Sequence, residues 1–271
     1  MIVFAGISPH PPLLVPEIGK EDSKKVSATL DGLTRLGREL AAAEPDTIIV
    51  VSPHMVHYPH LFNICGMEDL YGSFNNFDFN NFEWHGHNNL ELAEEIADKA
   101  EDEGLPAILY NNGDSEYEID HGVMVPLYFL NQESDFPAKI LPISYSFASR
   151  SEHYTFGQVI SEVCQKKSSE RIAIIASGDL SHRLHEKAGG LIANSGMEFD
   201  SEIIKSIKKA DEYSIVNMDE KIVDNSGECG YRSILILLGA LSGSDYRPEV
   251  YSYESPFGVG YMVANMGVPP R

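Results

Sequence analysis

The chain reads as an α/β protein, a single three-layer domain over residues 1–271 with a central, mostly parallel sheet flanked by helices. Three observations predict this. Apolar runs such as Ile2-Val3-Phe4-Ala5-Gly6-Ile7, Thr47-Ile48-Ile49-Val50-Val51 and Ile172-Ala173-Ile174-Ile175-Ala176 lack inside–outside alternation, as expected of strands buried on both faces. Segments with helical period separate these runs, which gives βαβ units with right-handed crossovers. No internal repeat, low-complexity tract or linker divides the sequence, so one layered core is the economical arrangement.

The first strand, over residues 2–7, stops at Ser8-Pro9-His10, and Pro11, Pro12 and Pro16 then impose an ordered loop. Residues 23–43 carry Val26, Leu30, Leu33, Leu36 and Leu40 at helical spacing and lead back to a strand that opens at Asp46. That strand ends in Ser52-Pro53-His54, an echo of the first. Residues 61–66 read as a short strand. Residues 70–87 are dense in Asn, Phe and Gly without a period, which predicts a long loop that covers a site. An acidic amphipathic helix follows over 90–104 and a strand over 107–110. The second half continues with a helix at 121–131, a strand at 138–143, a helix at 151–167 and a strand at 171–177. Residues 189–209 are mostly helical, 226–239 open with small residues and continue as an apolar helix, and closing strands are expected at 248–253 and 258–265.

The net charge of −21 excludes nucleic acid and anionic membrane as expected partners, because either needs a basic footprint. Cys65, Cys164 and Cys229 are widely spaced and odd in number, so no disulfide framework is implied and a reducing cytoplasm fits. The chain opens directly on a strand, without a basic leader or cleavage site. No apolar run reaches the roughly 18 residues of a membrane span.

Ligands of open α/β sheets bind beyond the carboxyl ends of the strands, which is where both Ser-Pro-His turns fall. Each proline fixes its own φ and holds the preceding serine extended, restricting the backbone that carries His10 and His54. His182 emerges in the same way, from the strand that runs into Gly178-Asp179-Leu180-Ser181-His182, and His121 follows Asp120 at a loop-to-helix junction. Glu228 sits among glycines in Ser226-Gly227-Glu228-Cys229-Gly230, just before an apolar helix. Two histidines and one carboxylate with open positions describe the facial triad of non-haem iron(II) oxygenases. Asp120 and Asp179 serve either as orienters of the neighbouring histidines or as helix caps. Cys229 is a soft ligand or a small buried residue; Cys65 and Cys164 read as core. His57, His60, His85, His87, His153 and His185 lack placement at a strand end and are expected on the surface or in loops.

Taken in order, Ser8-Pro9-His10, Ser52-Pro53-His54, Asp120-His121-Gly122, Gly178-Asp179-Leu180-Ser181-His182 and Glu228 resemble the LigB-like class III extradiol ring-cleaving dioxygenases. The resemblance is closest to the branch called Memo-like or AmmeMemoRadiSam system protein B. It implies His10, His54 and Glu228 as iron ligands, His182 as the acid-base histidine and His121 as a further pocket histidine. Fe(II), a small catecholic substrate and O2 are implied with them, and a ring-opened semialdehyde as product. In the Memo-like branch a cysteine followed by glycine takes the third position, and Cys229-Gly230 aligns with it. The same donors would also serve Zn2+, in a hydrolase or in a metal-binding protein without turnover. The closing strand pair at a sheet edge leaves pairing with a second copy open.

Overall fold

The computed structural model describes residues 1–131, 138–184 and 190–269. In chain order the elements begin with β1 (Ile2–Ser8), α1 (Pro16–Gly19), α2 (Ser27–Ala42), β2 (Thr47–Ser52), β3 (Phe62–Cys65), β4 (Asp69–Phe74) and β5 (Phe79–His87). Next come α3 (Leu90–Asp102), β6 (Ala107–Tyr110), β7 (Tyr117–Glu118), α4 (His121–Asn131), β8 (Lys139–Ser144), α5 (Arg150–Lys166) and β9 (Ile172–Ser177). The chain closes with α6 (Gly190–Lys208), α7 (Glu212–Val216), α8 (Glu220–Ser226), α9 (Tyr231–Leu241), β10 (Glu249–Glu254) and β11 (Tyr261–Asn265).

Eight strands form one sheet in the order β10-β11-β1-β9-β2-β8-β3-β6. The middle four, β1, β9, β2 and β8, run parallel, whereas β11 pairs antiparallel with β1 and β3 pairs antiparallel with β8. β1 and β2 are thus not neighbours, because β9 lies between them.

Alternation along the buried strands divides the core in two. Ile7, Ile49, Val51, Leu141 and Ile174 face α3, α5 and α9 on one side. Phe4, Ile48, Val50, Ile140 and Ile175 face α2 and α4 on the other. A fully buried Val, Ile or Phe contributes about 1.5–3 kcal/mol over its exposed state, so strands filled on both faces anchor the molecule. This is the three-layer α/β arrangement expected. No helix among the described residues is long and apolar enough to cross a membrane.

Two local expectations are corrected. Residues 70–87 are not a loop: β4 and β5 form an antiparallel hairpin across a short helical turn at Asn75–Phe77, and β7 adds to β4 in parallel. Leu70 and Phe74 plug the hairpin into the core beside Met124 and Tyr128 of α4, which supplies the apolar surface that its Asn-rich strands lack. The helix expected to open near Ser226 begins instead at Tyr231. Ser226 ends α8, Gly227 turns left-handed at φ 65°, and Glu228, Cys229 and Gly230 form the connection.

Helices α5 and α9 pack through facing glycines: a Cβ on Gly157 would collide with the Ile236 carbonyl, and one on Gly239 with the Tyr154 carbonyl. α5 is fixed at its start by a capping box in which Ser149 and Glu152 satisfy each other's backbone N–H. Gly239→Ala is therefore expected to cost about 1–3 kcal/mol through overpacking. Thermal unfolding checks this, with Tm falling by roughly 2–4 °C for each kcal/mol; an unchanged midpoint would rule the close approach out.

Candidate metal centre

The strand register sets the site. Ser8 pairs with Ser177 across β1 and β9, Ser52 pairs with Ser144 across β2 and β8, and Val51 pairs with Ala176 across β2 and β9. Four serines therefore end four adjacent parallel strands in one row, and all four are fully buried. The turns beyond them bring His10, His182, His54 and Tyr145 to a single rim.

His10 and His54 meet Nε2 to Nε2 at 3.0 Å. The protonation of His10 follows from its neighbour. The Ser177 hydroxyl must donate to the Gly122 carbonyl at 2.5 Å, because a carbonyl only accepts, so its lone pair receives Nδ1–H of His10 at 3.0 Å. The neutral His10 ring then presents a bare Nε2 to His54. Burial, with His54, His121 and His182 nearby, holds the His10 pKa well below its ordinary value, so the ring is neutral at pH 7. His54 is lowered to about 4, mainly by burial and then by His121. Two nitrogens each roughly 2.1 Å from one ion and about 90° apart would be about 3.0 Å from each other. The pair fits a shared cation.

A ring nitrogen of His121 completes one group with His10 and His54, all within 4.8 Å. The His121 ring lies 4.0 Å from the His54 ring and 5.6 Å, edge-on, from Phe77 in the hairpin turn. Asp120, just before it, accepts from the Ser52 hydroxyl at 2.6 Å and from Gly122 N–H at 2.7 Å through Oδ1. Its Oδ2 is buried without a hydrogen-bond partner among the described residues. Burial raises this carboxyl, and His54 pulls it back toward the charged form.

His10, Asp179 and Cys229 form the second group. Cys229 Sγ lies 3.7 Å from His10 Nε2 and 3.6 Å from His182 Nε2. Asp179 ties the parts together: Oδ1 accepts from His10 N–H at 3.2 Å, Oδ2 lies 3.7 Å from His182 Nε2, and its carbonyl accepts from Gly230 N–H at 2.9 Å. Its own N–H donates to Cys229 Sγ at 3.2 Å. Burial pushes the Asp179 carboxyl up to about 7 and holds the Cys229 thiol far above the usual thiol range. The thiol reaches this position because the end of β9 touches the start of α9, where a Cβ on Gly178 would collide with Gly230 Cα.

Glu228, expected as the third ligand, is not brought to either group. Its Oε2 accepts from Tyr231 N–H at 2.6 Å, which satisfies the first turn of α9, and burial raises the acid to about 7. Cys229, one residue on, faces the histidines in its place. His182 and His121 do come to the rim, His182 exposed and His121 half-buried. Of the remaining histidines, His60, His85 and His87 are exposed as expected, and His185 lies outside the described residues. His153 is a correction: it is fully buried in α5, with Nδ1 donating to Ser149 O at 2.7 Å or Nε2 to Ser146 O at 3.1 Å, according to its tautomer. Cys65 and Cys164 are buried, as their reading as core requires. The serine row escaped notice in the sequence, although a serine at the end of each central strand was its signal.

The profile for the catalytic LigB subunit of aromatic ring-opening dioxygenase matches residues 5–264. Protein CA_C1420 of Clostridium acetobutylicum is 35% identical over 263 residues, covering 95% of this chain and 56% of that protein. The 4,5-DOPA dioxygenase extradiol of Beta vulgaris is 26% identical over 169 residues, which is 62% of this chain and 59% of that one. A MEMO1 family protein of Methanosarcina barkeri is 28% identical over 168 residues, with 61% and 57% covered. In each case the matched stretch spans little more than half of the relative's own length. The crystal structure of uncharacterized protein JW3007 from Escherichia coli K12 superposes with a TM-score of 0.65 at 17% identity, over 98% of this chain and 100% of that one. At that identity the likeness speaks for the fold alone.

Ser177→Ala removes the acceptor that holds His10 in its tautomer while leaving every metal donor in place. Anaerobic metal titration against a competing chelator should show affinity weakened by roughly 10- to 100-fold, the usual effect of losing such a partner. Unchanged affinity would mean that the Ser177 bond does not set the ligand geometry.

Proposed function

The chain belongs to the LigB family, and on that premise we propose that it opens the ring of a catecholic substrate with O2, using Fe(II) held at the strand-end rim, in the cytoplasm. The observation that carries this reading is the bare Nε2 of His10 set 3.0 Å from Nε2 of His54, with a ring nitrogen of His121 in the same group. His10 and His54 would hold the metal, with Cys229 as the third donor in place of Glu228. When bound, Fe(II) supplies sites at which both phenolic oxygens and O2 are activated together.

The side chains perform the proton chemistry. Burial lowers the His182 pKa, so its ring is neutral at pH 7 and Nε2 can accept a phenolic proton. Asp179 Oδ2, 3.7 Å from that nitrogen, stabilises the resulting imidazolium and keeps the proton available for return when the ring opens. His121 borders the same space and steadies the substrate hydroxyl, while Phe77 on the hairpin gives the ring an apolar wall. Both oxygen atoms end in the product, a ring-opened hydroxy-semialdehyde acid.

The Cys229 sulfur favours a second reading. Two imidazoles and a thiol suit zinc or another soft ion better than iron, as in a metal-binding protein of the Memo-like kind or a zinc-dependent hydrolase. Metal analysis of anaerobically purified protein, followed by oxygen uptake with a panel of catechols, separates these: iron with uptake supports the dioxygenase, and zinc without uptake supports the second reading.

Paired substitutions test the ligands. Cys229→Ser should weaken metal binding strongly, while Glu228→Ala should leave metal content near wild type and lower stability through the lost helix-start bond. The reverse metal result would restore Glu228 to the ligand set. His182→Ala should retain the metal and lose turnover by roughly 10²- to 10⁴-fold; metal loss equal to that of His10→Ala would instead make His182 a ligand.

A further inference from the structure

The smaller sheet carries a second set of metal-binding side chains. On β5, His85, Gly86 and His87 follow one another, and alternate residues of a strand leave the same face, so the two imidazoles share it. Both are exposed.

Each ring is backed by a carboxylate. Nδ1 of His87 lies 3.0 Å from Asp69 Oδ1, across the β4–β5 pair, and Nδ1 of His85 lies 3.3 Å from Oε1 of Glu116, which precedes β7. A carboxylate only accepts, so Nδ1 is the donor in both. The neutral form of each ring then carries a bare Nε2. A histidine held by a carboxylate in this way is the usual arrangement behind a metal-ligating nitrogen, because the partner fixes the tautomer and raises the basicity of the ring. One such pair on a surface is an ordinary polar contact. Two on alternate residues of one strand put two bare nitrogens on one face.

The residues around them fit the same use. A Cβ on Gly86 would come within 2.4 Å of the Trp84 indole, so the glycine lets that ring lie across the backbone between the two histidines. Glu68, Asp69 and Glu116 border the same surface cavity of about 590 Å³, with Lys139 the one lysine or arginine among its described lining residues, and this excess of acids favours a cation. The donors are not converged as those at the rim are. Exposed side chains change rotamer on a picosecond-to-nanosecond scale, so rotation of the two rings can bring both Nε2 atoms to one ion.

We propose that His85 and His87 bind a divalent ion of the Ni2+, Cu2+ and Zn2+ series, with Asp69 and Glu116 behind the rings and water completing the coordination. Imidazole suits these ions, and Cu2+ is bound most tightly among them. Asp69 opens β4 and Glu116 precedes β7, so the ion would join all three strands of the smaller sheet, at the end of the hairpin away from Phe77. The site shares no residue with the rim.

Trp84, the one tryptophan of the chain, reports on it. Cu2+ quenches indole emission at close range, so stepwise addition of Cu2+ to the whole protein should lower the Trp84 emission along a saturating curve. His85→Asn and His87→Asn should each weaken the apparent affinity by roughly 10-fold or more, since losing a ligand costs at least as much as losing the partner behind one. Cys229→Ser, which alters the rim alone, should leave the curve unchanged. Circular dichroism checks that all three variants fold, and exposed positions such as 85 and 87 tolerate the exchange. Quenching that fails to saturate, a curve that survives either histidine substitution, or one that is lost in Cys229→Ser would overturn the site.

Discussion

The row of buried serines at the strand ends is the constraint on which the site depends. A buried hydroxyl left without a partner costs about 1–3 kcal/mol, so each of the four has to donate to something within reach. Ser8 donates to Pro9 O, Ser144 to Tyr145 O, Ser52 to Asp120 Oδ1 and Ser177 to Gly122 O. The first two tie a strand end to its own turn. The last two cross to the start of α4, so Asp120, His121 and Gly122 are pinned against β2 and β9 by hydroxyls that have no other use for their protons. Gly122 is needed there, because a Cβ would collide with the Ser52 hydroxyl. From this the orientation of His10 follows, and with it the bare nitrogen that faces His54.

Electrostatics point in the same direction as geometry. Asp179 is buried and Asp120 half-buried beside neutral histidines, and loss of solvent raises both carboxyls above their ordinary range. Cys229 is raised more strongly still, with Asp179 adding to the effect of burial. Each of these groups would return toward its charged form beside a divalent ion, since a bound cation inverts the local preference. With histidines neutral at pH 7 and acids that resist ionisation, the rim would release protons if it took up a metal.

The fold was legible because burial on both faces leaves a strong mark: runs without alternation can hardly be anything but central strands. The histidines were legible for the same reason, since strand ends in such a sheet share one rim and Ser-Pro marks where the strand stops. The hairpin at Asp69–His87 was hidden because its order comes from tertiary packing. Asn and Gly are poor strand formers that offset the strand preference of Phe locally, and only Leu70 and Phe74 docking on α4 makes the pairing worthwhile. His153 was hidden likewise. A histidine within a helix looks solvent-facing until Ser146 and Ser149 carbonyls are found at its ring nitrogens, and those partners belong to the preceding turn.

The choice between Glu228 and Cys229 shows where residue chemistry ceases to decide. A hard carboxylate is the better iron ligand, and by donor preference alone Glu228 would be chosen. The backbone decides otherwise. α8 ends in left-handed Gly227, and Gly230 is pressed against Gly178 so closely that neither can carry a side chain. Between those fixed points two residues must span the gap, and their side chains part, Glu228 toward Tyr231 and Cys229 toward His10 and His182. The side facing α9 offers the unpaired Tyr231 N–H, with Arg150 and Arg232 near enough to favour a negative charge, and it takes the carboxylate. The side facing the rim takes the sulfur, already held by the Asp179 N–H. Exchanging them would expose an unsatisfied helix start and bury a carboxylate beside Asp179, so the turn between two helices sets which of the two side chains faces His10 and His182.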